Sequence, residues 1–288
     1  MINLLLVFAL TFLSLIEARK NDSRLAFSRI QANEEFQLNV LYFNHGSIND
    51  QGHLVQNYTG RSIDTFFQYD KVPISQHNPY KKGTSITDAS FLTIPKKEIP
   101  TLKATQTLNS SEQECNPVLD FQYQLINAWL GYTIKALKGV DIQPSDTYLM
   151  KNYPTKKIVI SPEGVAHEDD LPAPTCDDYI DSNYFYIIHK YGVVGTDCFP
   201  NTVVPSRTDK CTQGGGKYQK FLQGYSEAEF ETDVDGFKEA LIKFGPVYQE
   251  IVVIGWEGNN WVTVELSQTT GGLVLGTYPI DPDQEMPG

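Results

Sequence analysis

The chain has 288 residues, 23 basic and 35 acidic, for a net charge of −12, and an isoelectric point near 4.8. With 41% hydrophobic and 20% charged residues it can bury a core, so its composition is not that of a disordered chain. The length suits about two domain-sized units, and the acidic balance argues against a nucleic-acid partner, because phosphate recognition needs a basic face.

In chain order, the first element is an address. Leu4 to Ile16 is apolar except for Thr11 and Ser14, and Glu17, Ala18, Arg19 and Lys20 follow. The run is shorter than the roughly 20 apolar residues of a membrane helix. It has the length of a signal-peptide core, with Ala18 as the small residue at cleavage. Residues 1–18 are therefore expected to be a signal peptide, with a signal anchor as the alternative. No later segment is apolar enough to span a membrane, so none is expected once the signal is removed.

Secretion decides how the four cysteines, Cys115, Cys176, Cys198 and Cys211, are read. An even count in an oxidising compartment predicts two disulfides, and four cysteines allow three pairings. No metal site is expected, since neither Cys-x-x-Cys nor neighbouring histidine ligands occur. Sequons at Asn21, Asn57 and Asn109 fit the same compartment.

Three helices and three strands follow. Val118 to Leu137 carries one apolar stripe through Leu119, Tyr123, Ile126, Leu130, Ile134 and Leu137 and a second through Phe121, Leu125, Trp129 and Tyr132. Two stripes predict a helix buried between layers, stopped at Gly139. Ile180 to Tyr191, ending at Gly192, and Val234 to Phe244, closed by Gly245-Pro246, are the other two. Beyond them Ile251–Ile254, Trp261–Leu266 and Leu273–Leu275 are short, β-branched and separated by glycine-containing turns, so they read as strands. The order expected is helix-rich first and sheet-rich last. His189 falls mid-helix and is read as an ordinary helix histidine. His167 to Asp170 reads as a solvated acidic loop tip. Gly214-Gly215-Gly216-Lys217 lacks the wider glycine spacing and following Ser/Thr of a phosphate loop and reads as a flexible turn.

Several of these landmarks together resemble the papain-like cysteine peptidases with their prodomain. Phe67-x-x-Asp70-x-x-x-Ile74-x-x-x-Asn78 is similar to half of the family's interspersed proregion signature, and Gly83 to Asp88 to its Gly-x-Asn-x-Phe-x-Asp motif, one residue short. Cys176 to Gly192 resembles the cysteine-led helix of the peptidase, Cys198-Phe199-Pro200 its following turn, and Phe237 to Val247 its late helix with the Gly-Pro-Val strand start. The matches run in order over residues 58–265. The resemblance implies an α+β, two-lobed fold, with a helical left lobe and a β right lobe, here shortened, preceded by a helical prodomain. It divides the chain into residues 1–18 as signal peptide, 19–105 as prodomain-like region with its best match at 58–99, and 106–288 as a degenerate peptidase domain. It also implies Cys115–Cys176 as a left-lobe disulfide, which leaves Cys198 and Cys211 to pair.

Thiol catalysis needs a thiolate at a helix N-terminus, a histidine from the opposite lobe held by an asparagine, and an oxyanion donor. Carried onto this chain, those positions fall on Val118, Gln249, Glu265 and Glu112, with Gln113 one residue from the last. The groove-wall glycines of the family correspond to Asp178 and Tyr179. The resemblance then implies a catalytically silent family member of the secretory pathway, extracellular or in the lysosome or vacuole. It would bind a peptide or protein ligand, need no cofactor, and carry a proregion that fills its groove if retained. A second reading stays open at this point: an active cysteine peptidase whose site lies elsewhere, or a chain shortened by a faulty gene model.

Overall fold

The computed structural model describes residues 37–43, 45–61, 70–178, 183–267, 271–281 and 286–287. The expected signal peptide, Asn21, Phe67 and Tyr179 lie outside them. The fold is α+β, with three β-sheets and α-helices set between and beside them.

Among the described residues strands come first, which corrects the expected order. Between residues 37 and 105 the described chain forms β1 (Val40–Phe43), β2 (Ser47–Ile48), β3 (His53–Asn57), β4 (Asp70–Pro73) and β5 (Ser90–Leu92), with only single 3₁₀ turns among them. A helical prodomain is not what these residues build. Pro73, Pro79, Pro95 and Pro100 interrupt any helical run, and Gly52, Gly60 and Gly83 take positive φ at turns. What remains are apolar runs of strand length.

These strands are knitted into the rest of the chain. β1 lies between β4 and β8 (Glu229–Thr232), antiparallel to both, with Leu41 opposite Val72 and Phe230. β13 (Met286–Pro287) closes the other side of β8. β3 runs parallel to β6 (Lys156–Ile160), which pairs with β7 (Ala166–Asp170). β5 forms the edge of a sheet with β10 (Ile251–Glu257), β11 (Asn260–Leu266) and β12 (Leu273–Pro279), and β9 (Val247–Gln249) also pairs with β10. The three late strands stand where expected but run longer. β10 continues through a bulge between Val253 and Gly255. Gly255 has φ 149°, and a Cβ there would collide with the carbonyl oxygen of Phe91 on β5, so glycine is what lets β5 and β10 pair.

The acidic run His167 to Asp170 is an edge strand, not a loop tip. β6 supplies a pairing partner, and Lys156 on it bridges to Glu168 (2.7 Å) and Asp170 (3.7 Å). The Gly214–Gly216 segment is a turn, as expected, with Gly214 and Gly215 at positive φ.

Among the described residues the α-helices are α1 (Ser110–Gln113), α2 (Asn116–Tyr123), α3 (Ile126–Lys138), α4 (Asp146–Lys151), α5 (Tyr184–Tyr191) and α6 (Val234–Phe244). The expected 118–137 helix is two, because Leu125 adopts a left-handed conformation (φ 60°) between α2 and α3. The break leaves Tyr123 56% exposed, while Leu125 itself is buried. α3 keeps both stripes. Ile126, Leu130 and Ile134 enter a helical core with Leu149, Ile187 and Phe199. Leu125, Ala128 and Tyr132 enter a second core against Val252, Ile254, Val262 and Val264 of the sheet. A third core joins α6, through Phe237 and Leu241, to Leu41, Phe230, Val253 and Trp261. α6 spans the expected residues, capped by Asp233 on the Gly236 amide and ended at Gly245 (φ 89°).

Both disulfides implied by the resemblance are present, Cys115–Cys176 and Cys198–Cys211. Among the described residues no helix is long and apolar enough to cross a membrane. Asn57 and Asn109 are exposed. Their Oδ1 atoms accept backbone amides, that of Thr59 and those of Ser111 and Glu112 respectively.

Candidate functional site

The positions expected to correspond to catalytic groups fall in separate surroundings. Val118, in the first turn of α2, is 0% exposed and packs with Leu108, Cys115 and Met150. Glu112 is engaged by local structure. One carboxylate oxygen accepts the Asn109 amide at 2.9 Å in a capping box, and the other accepts from Gln143 at 3.5 Å. Gln113 is no substitute, since its amide donates to the Leu108 carbonyl. Glu265 on β11 accepts a 2.5 Å hydrogen bond from the Tyr278 hydroxyl. Asp178 is exposed, and its carboxylate accepts from the amide and hydroxyl of Thr175, which holds its pKa below the usual range.

Gln249 is placed differently. It ends β9, and the next residue, Glu250, turns the chain at φ 58°, so that Gln249 pairs with Ile251 across the turn. There it lines a cavity of about 1230 Å³ whose lining includes none of Val118, Glu112 and Glu265. One wall is α3 and α5, through Trp129, Thr133 and Phe185. Another is β8 and its lead-in, through Glu227 and Glu229. A third is the β10–β11 face, through Val253, Trp261 and Thr263, and His77 and Tyr80 close the cavity from the expected prodomain.

The wall is rich in aromatic rings. Trp129 lies 6.0 Å from Phe185 and 5.7 Å from Tyr248, ring centre to ring centre, and the Tyr184 ring lies 3.9 Å from that of Phe185, tilted by 38°. The Trp129 indole is fixed by donating to the Pro246 carbonyl at 2.9 Å. Two carboxyl groups stand in this setting. Burial pushes Glu227 well above the ordinary carboxylate range, and the neighbouring Glu229 pushes it further. Burial raises Glu229 too. Neither has a hydrogen-bond or ion-pair partner among the described residues. Four buried polar atoms of the wall, His77 Nε2, Tyr80 OH, Thr133 Oγ1 and Thr263 Oγ1, also lack a hydrogen-bond partner.

Sequence reasoning missed Glu227, Glu229 and His77. Glu227 and Glu229 sit in an unpatterned segment and His77 at an unassigned position of the Phe67–Asn78 pattern, and only the pairing of β8 with β1 and the packing of residues 74–80 on α6 bring them to one place. Edge-on contact of His77 with Phe244 (5.1 Å) holds that packing. His189 is exposed on α5, with Nδ1 3.2 Å from Ser226 Oγ. The chain matches no protein-family model, no curated protein and no solved structure.

Proposed function

We propose that this protein is a catalytically silent scaffold of the papain-like kind, working in the secretory pathway or an endolysosomal compartment, that binds a peptide or protein ligand without cleaving it. The observation that carries the reading is the state of the sulfur. The chain has four cysteines and all four are joined in disulfides, so the oxidised protein has no thiolate to act as nucleophile. The position corresponding to the family nucleophile supports it from the other side. Valine has no ionisable atom, and Val118 is closed off by Leu108, Cys115 and Met150. The cavity supports the binding half of the proposal, being concave, largely apolar and set with a few convergent polar groups.

The test is a hydrolysis assay on purified, non-reduced protein with a peptide library, beside labelling by epoxide and vinyl-sulfone probes. No turnover and no labelling are expected. The variant Val118→Cys, assayed in parallel, is also expected to stay silent, because Gln249 cannot accept a thiol proton and general-base help is worth about 10²–10⁴-fold. Turnover by the unmodified protein that a thiol-blocking reagent abolishes would overturn the proposal.

A further inference from the structure

We propose that the cavity between α3, α5, β8 and the β10–β11 face is a binding site for an organic cation with an apolar stem, its ammonium or guanidinium end held by Glu227 and Glu229 and its stem lying on the aromatic wall. The inference names the ligand chemistry of the binding protein proposed above and rests on that reading.

Three independent features point the same way. The first is the carboxyl pair. Acids withdrawn from water are normally paired or hydrogen-bonded, yet the half-buried Glu227 and Glu229 line the cavity without a hydrogen-bond or ion-pair partner among the described residues. The cations nearby are engaged elsewhere. Lys243 bridges to Glu239 at 2.8 Å and donates to the Ile74 carbonyl at 2.7 Å. Lys138 donates to the Tyr225 hydroxyl at 3.0 Å. A bound cation would oppose the effect of burial by favouring the charged carboxylate forms.

The second feature is the wall. Trp129 lies between Phe185 and Tyr248, its ring centre 6.0 Å and 5.7 Å from theirs, all three line the cavity, and aromatic faces attract ammonium and guanidinium groups. The rim already holds such a contact, with Lys138 Nζ 5.2 Å from the centre of the Tyr225 ring.

The third is the set of unsatisfied polar atoms. Thr263, 0% exposed, carries a buried hydroxyl without a partner in the sheet wall, and His77 Nε2 and Tyr80 OH are likewise buried and unpartnered in the segment that closes the cavity. Buried polar groups are nearly always satisfied, so their collection in one cavity wall marks a place where a ligand, directly or through water, supplies the missing bonds. A divalent metal is the weaker reading, since among the described residues no group of three or more His, Cys, Asp or Glu is disposed to hold one.

The experiment is calorimetric titration of the full-length protein with hexylammonium chloride, with 1-hexanol as the neutral analogue of the same stem, and with an acetylated and amidated tripeptide carrying a central lysine. Hexylammonium is expected to bind at least about tenfold more tightly than hexanol, the margin expected of a charge-assisted hydrogen bond. The double variant E227Q/E229Q is expected to lose that preference while keeping a melting temperature at pH 7 no lower than the parent's. The tripeptide binding more tightly than hexylammonium identifies a peptide side chain as the ligand, and the reverse identifies a free amine. Equal binding of hexanol and hexylammonium, no saturable binding of either cation by the folded protein, or a preference that survives in a folded double variant would overturn the inference. The comparison of hexylammonium with hexanol needs no variant. Because the readout is binding, peptide cleavage would sink the proposed function without touching this result, and failure to bind cations would leave the lack of cleavage standing.

Discussion

Removing one disulfide at a time distinguishes what the two bridges do. Cys115–Cys176 spans 61 residues and Cys198–Cys211 spans 13. In the chain-entropy account, a cross-link restricts the unfolded chain in proportion to the logarithm of the loop it closes. That gives about 4 kcal/mol for the longer loop and about 3 kcal/mol for the shorter at 25 °C. The double variant C115A/C176A also takes both sulfurs away from the cluster of Leu108, Val118 and Met150, which adds about 1 kcal/mol of lost packing. The expected loss is therefore about 5 kcal/mol, against 3–4 kcal/mol, roughly, for C198A/C211A. Against a typical total of about 5–15 kcal/mol, the first loss leaves a marginal fold. Urea titration followed by the fluorescence of Trp129, Trp256 and Trp261 measures both, and the slope m should rise in each variant as the unfolded chain expands. A larger loss for C198A/C211A would refute the loop-length reasoning. Non-reducing peptide maps that linked Cys115 to Cys198 would refute the pairing itself.

Further outcomes follow from buried acids and from strand pairing. Asp146, Glu227 and Glu229 all have folded-state pKa values raised, chiefly by burial. A raised carboxyl pKa gives stability that is complete below the unfolded value, 3.8 for the aspartate and 4.5 for the glutamates, and is lost as pH rises through the folded value, so the melting temperature should be higher at pH 5 than at pH 7.5, and a flat or inverted profile would count against these assignments. Gly255→Ala should lower stability by about 2–4 kcal/mol, because the new methyl group would meet the Phe91 carbonyl; a chemical-denaturation midpoint equal to the parent's would show that β5 and β10 do not pair closely. Trypsin cleavage at the exposed Lys82 should leave both pieces together in gel filtration and separate them only in denaturant, because β1 sits between β8 and β4; release of the N-terminal piece from native protein would contradict that pairing.

Much of the helical part was legible in the chain. The two apolar stripes of residues 118–137 announced a helix between layers, and α3 does divide its sides between a helical core and a sheet core. Asp233, Gly245 and the apolar spacing between them marked α6 at both ends, because capping and periodicity are local properties that a sequence carries by itself. The break at Leu125 was not legible. Nothing in the residues 123–126 disfavours a continuous helix, and a leucine takes φ 60° only where burial in the surrounding cores outweighs the strain. The strands of residues 40–92 were missed for a related reason. Each is five residues or fewer, too short for a periodic signal, and three of them are held by partners far along the chain, β1 by β8, β3 by β6 and β5 by β10. The cavity belongs wholly to the tertiary structure. Glu227 and Glu229 look like ordinary surface acids in sequence, His77 follows an ordinary turn, and Trp129 reads as one more residue of an apolar stripe. Only long-range pairing and packing carry them to a common wall, since the environment that gives a carboxylate its chemistry is made of residues distant in the chain.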